Sequence, residues 1–234
     1  MAKETQLQTQ GDSAYLALRS GGIRDEVRQA NNVGELTAAD LPRVKFPTGG
    51  AQFFQLPSLE GTTPAATIKG VILHSVVNRA YWPESFEENP NQPPMCTSKD
   101  GKYGEFFKRG CAECEFNAFG SAKNGGKACK ERRPVALLVP DKRLPLVVSL
   151  PTMSLVPFRN YMISLENEDI AAFEVETQIA LEPAKNKAGI AYSKATFSVA
   201  SRLSAVEIER VKGAIARLDR SQVVAKTEDF VNAE

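Results

Sequence analysis

Four cysteines placed close together constrain this chain more than any other feature of its sequence. Cys96, Cys111, Cys114 and Cys129 are all the cysteines among 234 residues, and they follow the spacing C-x14-C-x2-C-x14-C. A disulfide framework is typical of small secreted domains, and a redox C-x2-C pair would leave the two outer cysteines unexplained. The spacing therefore favours four thiolate ligands for one structural zinc ion, Zn²⁺, while the other two interpretations stay open.

The residues around these cysteines are too polar to order themselves. Residues 90–95 contain three prolines, which excludes a helix or a central strand there, and six glycines interrupt residues 101–126. A segment of about 40 residues with so little apolar surface cannot offset its own ordering entropy. A structural zinc ion contributes on the order of 10 kcal/mol to such a segment. Residues 90–133 are therefore predicted to form a zinc loop, and a site closed by four thiolates is structural, not catalytic.

Positive charge and aromatic rings are interleaved in the same segment. Residues 99–133 hold nine basic and five acidic side chains. Four thiolates with one Zn²⁺ subtract two charges, which leaves the loop positive by about two. Cations that neutralise phosphates, together with rings on which bases stack, are what single-stranded nucleic-acid binding requires.

We predict nucleic-acid contacts from this loop, from the strand end beside it and from the last hairpin. The predicted residues are Phe53, Arg79, Tyr81, Trp82, Tyr103, Phe107, Lys127, Lys130, Arg132, Arg133, Lys185, Lys187 and Lys194. Trp82 and its neighbours fit a hydrophobic cap equally well, and the hairpin lysines fit an exposed turn. Phe116 and Phe119 are interpreted as rings that pack under the cysteines.

The hydrophobic pattern predicts a mainly β fold with some α-helix. Strands are predicted at 51–56, 67–77 with a bend or bulge at Gly70, 134–139, 144–150, 173–181 and 190–199. One helix is predicted from a cap at Ser154 and another from the capping box at Ser204. This order favours an OB-like five-stranded Greek-key barrel with a C-terminal helix, in which the zinc loop is inserted between the second and third strands. A generic α+β sheet is the alternative.

The expected organisation has three parts. Residues 1–45 form a partly mobile N-terminal extension, residues 46–220 form the OB-like domain with its zinc loop, and residues 221–234 form a polar tail. No apolar run of 18 residues and no apolar signal core occur, so we expect a soluble cytoplasmic protein with no membrane partner. The single histidine, His74, excludes a multi-His metal site, and no nucleotide-binding or hydrolase motif is present.

Residues 111–122, CAECEFNAFGSA, together with GKACK at 126–130, resemble a cysteine-rich signature of phage and mobile-element proteins. Those proteins are similar to OB-fold single-stranded DNA-binding proteins, and the resemblance spans about residues 46–220. It implies a bacterial host cell, and DNA replication or recombination proteins as further partners. The acidic tail tipped by an aromatic residue, usual in bacterial single-strand binders, has only a faint echo in residues 228–234.

The sequence therefore predicts a non-enzymatic, largely sequence-independent single-stranded DNA-binding protein that supports phage or mobile-element replication or recombination. Oligomers are compatible with the sequence. One alternative is a zinc-stabilised interaction module that docks on a polymerase, nuclease or host factor without binding nucleic acid, and the near-neutral charge of +1 supports it. A nuclease or redox enzyme is the other, and the single histidine and the closed set of thiolates argue against it.

Overall fold

The computed structural model of the chain describes residues 25–32, 34, 37, 40–47, 49–84, 92–123, 125–140, 142–185, 189 and 191–231. These residues form a mainly β structure in which one large curled sheet carries helices. No helix within these ranges is both long enough and apolar enough to cross a membrane.

Among the described residues, ten strands precede the first long helix and two follow it. The strands are β1 (Arg43–Val44), β2 (Phe54–Ser58), β3 (Gly61–Ala65), β4 (Thr67–Ser75), β5 (Asn78–Tyr81), β6 (Cys96–Ser98), β7 (Tyr103–Gly104), β8 (Arg109–Gly110), β9 (Cys129–Leu138), β10 (Leu146–Leu150), β11 (Val175–Lys185) and β12 (Ala191–Arg202). The α-helices are α1 (Asp25–Asn31), α2 (Thr152–Asn167), α3 (Ala205–Arg217) and α4 (Thr227–Val231).

The large sheet has the order β1-β10-β9-β4-β11-β12, and β5 pairs with both β9 and β6. β1 is parallel to β10, and the other ladders are antiparallel. The predicted mainly β class is confirmed. The closed five-stranded barrel is not confirmed, because within the described ranges β12 pairs only with β11.

The first predicted strand, 51–56, does not join this sheet. Its residues contribute to β2, which pairs with β3 in a hairpin, and Gln55 of β2 exchanges two backbone hydrogen bonds with Lys45, the residue after β1. Pro57 and Pro64 lie in this hairpin and lack the N–H groups that a further ladder needs. The cysteine-containing loop follows β5 along the chain and leads into β9.

The two faces of the sheet are both covered, as the alternation of β9 illustrates. Val135 and Leu137 point to a core that contains residues of α2, and we call this side the inner face. Ala136 and Leu138 point to a second core that contains Val211 of α3, and this side is the outer face. Because successive residues of a strand point to opposite faces, the parity of β9 assigns each of its side chains to one face.

Two predicted details of these elements were wrong in position. The irregularity of β4 lies between Ile72 and His74, not at Gly70. Gly70 instead permits a close approach of two strands, since a Cβ there would lie 2.6 Å from the carbonyl oxygen of Leu138. Helix α2 begins after Pro151, and Ser154 is a fully buried helical residue that does not cap it. The capping box at Ser204 is confirmed.

The packed body extends past both expected domain boundaries. Val44, in the expected N-terminal extension, is buried in the inner core. Val223 and Phe230, in the expected polar tail, are also buried, and α4 contacts β9. The C-terminal residues through Val231 are therefore part of the fold and not a free polar tail.

Candidate metal centre and nucleic-acid interface

Strand pairing brings two of the cysteines to one place. Cys96 in β6 and Cys129 in β9 both lie opposite Tyr81 of the central strand β5. Directly opposed residues point to the same face of a sheet, so these two thiols lie on the side of Tyr81. The parity of β9 makes this the inner face, since Cys129 is in register with Val135.

The other two cysteines lie on a turn that closes over this face. Cys111 begins a short 3₁₀ helix after β8 and Cys114 caps its end, and the Cys111 N–H donates to the carbonyl of Lys102. All four cysteines line one cavity of about 20 Å³ and are free thiols. Among the described residues, however, no group of three or more His, Cys, Asp or Glu side chains has the geometry of a formed metal site.

The cavity disfavours the thiolate form of Cys129. Burial raises the pKa of Cys129 to about 12, the nearby Arg79 guanidinium opposes this rise, and the other three cysteines add to it. Sulfur donors are the ligands that structural Zn²⁺ sites use, so these four cysteines are the side chains that could hold such an ion. A bound dication would favour the thiolate forms of all four side chains.

We call residues 92–133 the cysteine module. Two of the predicted nucleic-acid contacts, Tyr81 of β5 and Phe107 of the module, take part in its packing. The ring of Tyr81 stacks on Phe116 at 4.0 Å between centroids, and Phe107 lies 5.3 Å from Phe116. The Arg109 guanidinium lies 5.0 Å from the centre of the Phe107 ring. Tyr81 and Phe107 are therefore half-buried members of an aromatic cluster. Phe116 packs as predicted from the sequence.

Arg79 of β5 also contacts the module. It forms an ion pair with Glu131, and its Nε donates to the carbonyl of Gly101 at 3.2 Å. Its Nη1 donates to Asn117 Oδ1, and Asn117 Nδ2 in turn donates to the Cys111 carbonyl at 2.8 Å. This chain of contacts connects β5 to the turn that carries Cys111 and Cys114.

The outer face at the same end of the sheet carries Trp82 and Arg132. The Trp82 indole donates to the carbonyl of Gln92 at 3.0 Å, and its ring lies 5.7 Å from that of Phe230. Arg132 is 3% exposed and donates to the carbonyls of Asp229 and Phe230. The C-terminal residues thus cover two side chains that the sequence predicts to contact nucleic acid.

Three rings of the module are exposed to solvent. Tyr103 is 49% exposed, Phe106 59% and Phe119 83%, and the Lys127 ammonium lies 5.0 Å from the centre of the Phe119 ring. The sequence prediction included Tyr103 and Lys127 but missed Phe106, and the interpretation that Phe119 packs under the cysteines was wrong. The sequence could have indicated that Phe119 is exposed. It precedes Gly120 in a segment whose hydrophobic pattern has neither the strand period nor the helix period, and such a segment has no side that regularly faces a core.

The remaining predicted contacts are dispersed over the molecule. Phe53 is exposed, and Lys130 is half-buried. Arg133 points to the inner face, where its guanidinium lies 5.4 Å from the Phe158 ring. Lys194 pairs with Glu182, Lys185 is exposed at the end of β11, and Lys187 lies outside the described residues.

His74 lies at the irregular position of β4 and is half-buried. Burial lowers its pKa, and the positive charge of Arg220 adds to this effect.

The chain matches no known protein family, and no curated protein or solved structure is detectably similar to it.

Proposed function

We propose that this protein binds single-stranded DNA without catalysing a reaction, largely independently of base sequence, in DNA replication or recombination. The observation that carries the proposal is the set of three exposed rings, Tyr103, Phe106 and Phe119, on one short module. Phe106 lies edge-on to Phe107 of the aromatic cluster, at 5.2 Å between ring centroids, yet it remains 59% exposed, so packing uses only part of its ring. Base stacking on an exposed aromatic ring contributes about 1–3 kcal/mol per base and tolerates any sequence.

The charge of the module supports the same proposal. Lys99, Lys102, Lys108 and Lys123 are exposed on it, and Lys127 lies beside the most exposed ring. Lysines near stacked bases neutralise the phosphates that connect them. The net charge of the whole chain does not indicate whether the module binds nucleic acid, because these positive charges are concentrated in the module.

A zinc ion held by Cys96, Cys111, Cys114 and Cys129 belongs to this proposal. The support is that all four thiols line one cavity. The ion would order the module, and the rings and lysines would perform the binding.

The proposed fold is an open OB-like barrel of β4, β9, β10, β11 and β12. Helix α2 lies between the third and fourth of these strands, which is where an OB barrel carries its helix. The cysteine module lies between the first and second, and in OB folds that connection and the one between the last two strands contact oligonucleotides. The exposed rings are therefore on a connection that this fold uses for binding.

The test is fluorescence anisotropy of labelled oligo-dT with the full chain and its Phe119→Ala and Phe106→Ala variants. Each substitution should weaken binding about 5- to 100-fold, as expected from the loss of about 1–3 kcal/mol of stacking. Leu59→Ala is the matched control, because Leu59 is a fully exposed apolar residue between β2 and β3, outside the module. It should leave the affinity unchanged.

Titrations at two salt concentrations complete the test. The logarithm of the affinity should fall linearly with the logarithm of the salt concentration, with a slope of about −0.7 for each phosphate contacted. Parallel titrations with oligo-U and duplex DNA define the preferred nucleic acid. Absence of binding to every one of these ligands at low salt would refute the proposal and favour a protein-docking role for the exposed rings.

A further inference from the structure

Helix α2 carries a row of exposed apolar side chains on the side opposite to its buried residues. Met153, Val156 and Ile163 are 49%, 66% and 49% exposed, whereas the buried side of the helix packs in the inner core. Single exposed apolar residues are common on protein surfaces, but three in line on one helix form a continuous strip. We call Met153, Val156, Asn160 and Ile163 the α2 stripe.

The spacing of the α2 stripe is that of a helix that packs along another helix. Its members are separated by three, four and three positions, which is the alternation of the a and d positions of a coiled coil. This alternation keeps the four side chains on one narrow face over about three turns. Asn160 is the polar member, and a polar residue on such a seam lowers the stability of a helix pair while it fixes the register. The spacing therefore indicates a helix as the partner.

The charges beside the α2 stripe indicate which helix this is. Arg159 and Glu166 are both exposed and lie on the same flank of the stripe, seven residues apart. Seven positions are more than the three or four at which side chains of one helix pair. In two antiparallel copies of α2 this flank faces itself, so each Arg159 faces Glu166 of the other copy. In a parallel pair it would face Pro157 and Ser164, which carry no charge.

A groove continues this surface on the other flank of the α2 stripe. It lies between α2 and the edge strand β12, has a volume of about 540 Å³, and is lined by Pro157, Ser164 and Glu168 of the helix. Val199 of β12 also lines the groove and is 43% exposed. A second helix that lies along the stripe would extend over this groove and add Val199 to the apolar contact.

We propose that the α2 stripe is the interface of a homodimer, in which α2 of one copy packs antiparallel against α2 of a second copy. A two-fold axis presents the same surface from both copies, as the self-complementary charges require. The 16 residues of α2 span only about 24 Å, so the interface is small and the dimer is weak. We expect a dissociation constant on the order of 10 µM. This inference does not depend on the proposed DNA binding.

Sedimentation velocity of the full chain without nucleic acid tests the proposal. The sedimentation coefficient should rise from that of a monomer to that of a dimer across concentrations below and above this constant. Val156→Glu puts a carboxylate opposite the end of the other helix that carries Glu166, and it should weaken association about 10-fold or more. Val206→Glu is the matched control, because Val206 is 60% exposed on α3, outside the stripe. It should leave association unchanged.

A charge exchange tests the antiparallel orientation. Arg159→Glu and Glu166→Arg should each weaken the dimer about 10-fold, because two ion pairs of the symmetric interface become repulsive. The double variant restores opposite charges and should associate within about 3-fold of the wild type. Both positions are exposed, so the melting temperature of the monomer should not change in any of these variants.

Each of three results would overturn the proposal. The first is a wild-type chain that stays monomeric at every concentration, which would leave the α2 stripe to a partner of another kind. The second is an equal effect of Val156→Glu and Val206→Glu. The third is a double charge variant that associates as weakly as either single variant. All three are measured without nucleic acid and would leave the proposed function standing, while failure to bind oligonucleotides would not affect the dimer.

Discussion

Arg79, which contacts the cysteine module, and Arg109, which lies in it, form ion pairs with glutamates in very different surroundings. The Arg79 and Glu131 side chains are 14% and 24% exposed, and Arg79 also bonds to Gly101 and Asn117. Arg109 and Glu115 are 40% and 67% exposed. Arg79→Gln should therefore lower the free energy of unfolding by about 1–3 kcal/mol, because it leaves a partly buried carboxylate and several acceptors without a cation.

Urea denaturation measures this effect, and Arg109→Gln is the control. The exposed pair should contribute less than about 1 kcal/mol. Similar losses in the two variants would show that Arg79 does not have the structural role that its contacts indicate. The sequence predicts Arg79 as a phosphate contact because charge alone does not reveal which carbonyls and carboxylates surround a guanidinium.

At the scale of elements, helix α2 is joined to the edge strand β12 through one buried hydroxyl. Ser154 Oγ accepts the backbone N–H of Ala195 at 3.0 Å, and both residues are fully buried. Ser154→Ala should cost about 1–3 kcal/mol, since it leaves a buried N–H without an acceptor. The control is Ser164→Ala on the same helix, where the exposed hydroxyl bonds only within the helix and the cost should be below about 0.5 kcal/mol. Thermal or urea unfolding distinguishes the two, and equal costs would contradict this assignment.

The elements were predictable to different degrees for physical reasons. The alternation of β11 and the apolar stripe of α3 each follow from burial of one face, so the sequence is sufficient to predict them. Ser154 was predicted as a cap because a buried acceptor and a helix cap use the same residue type. Similarly, the pattern of β2 predicts a strand but not its partner, because pairing depends on contacts far away in the sequence. The convergence of four cysteines was predictable from spacing, whereas the burial of Trp82 by Phe230 was not.

At the scale of the whole molecule, we expect one zinc ion per chain and a module whose order depends on it. Cys114→Ser should reduce the zinc content measured by elemental analysis and make the lysines of residues 99–127 rapidly cleavable by trypsin. The rest of the sheet should keep its cooperative melting, because the cores on its two faces are formed by other residues. The order of the module should depend on the ion, because a metal ion supplies on the order of 10 kcal/mol that this polar segment cannot obtain from burial.

Ala112→Ser is the control for this prediction. It introduces the same hydroxyl at an exposed position between Cys111 and Cys114 but removes no sulfur. It should retain the zinc and the resistance to trypsin. A wild-type protein without metal, or a Cys114→Ser variant as resistant as the wild type, would contradict the role given to the ion.

The strand β9 belongs to the cysteine module at one end and to both cores at the other. Cys129 and Leu137 share the inner face, while Arg132 and Leu138 share the outer face. Inserting one residue in the middle of this strand would turn Cys129 away from the other three cysteines and Arg132 away from Asp229 and Phe230. The module therefore could not be excised, or transferred to another protein, with its structure intact. The positions of its side chains depend on the same β9 hydrogen-bond ladder that holds the rest of the sheet together.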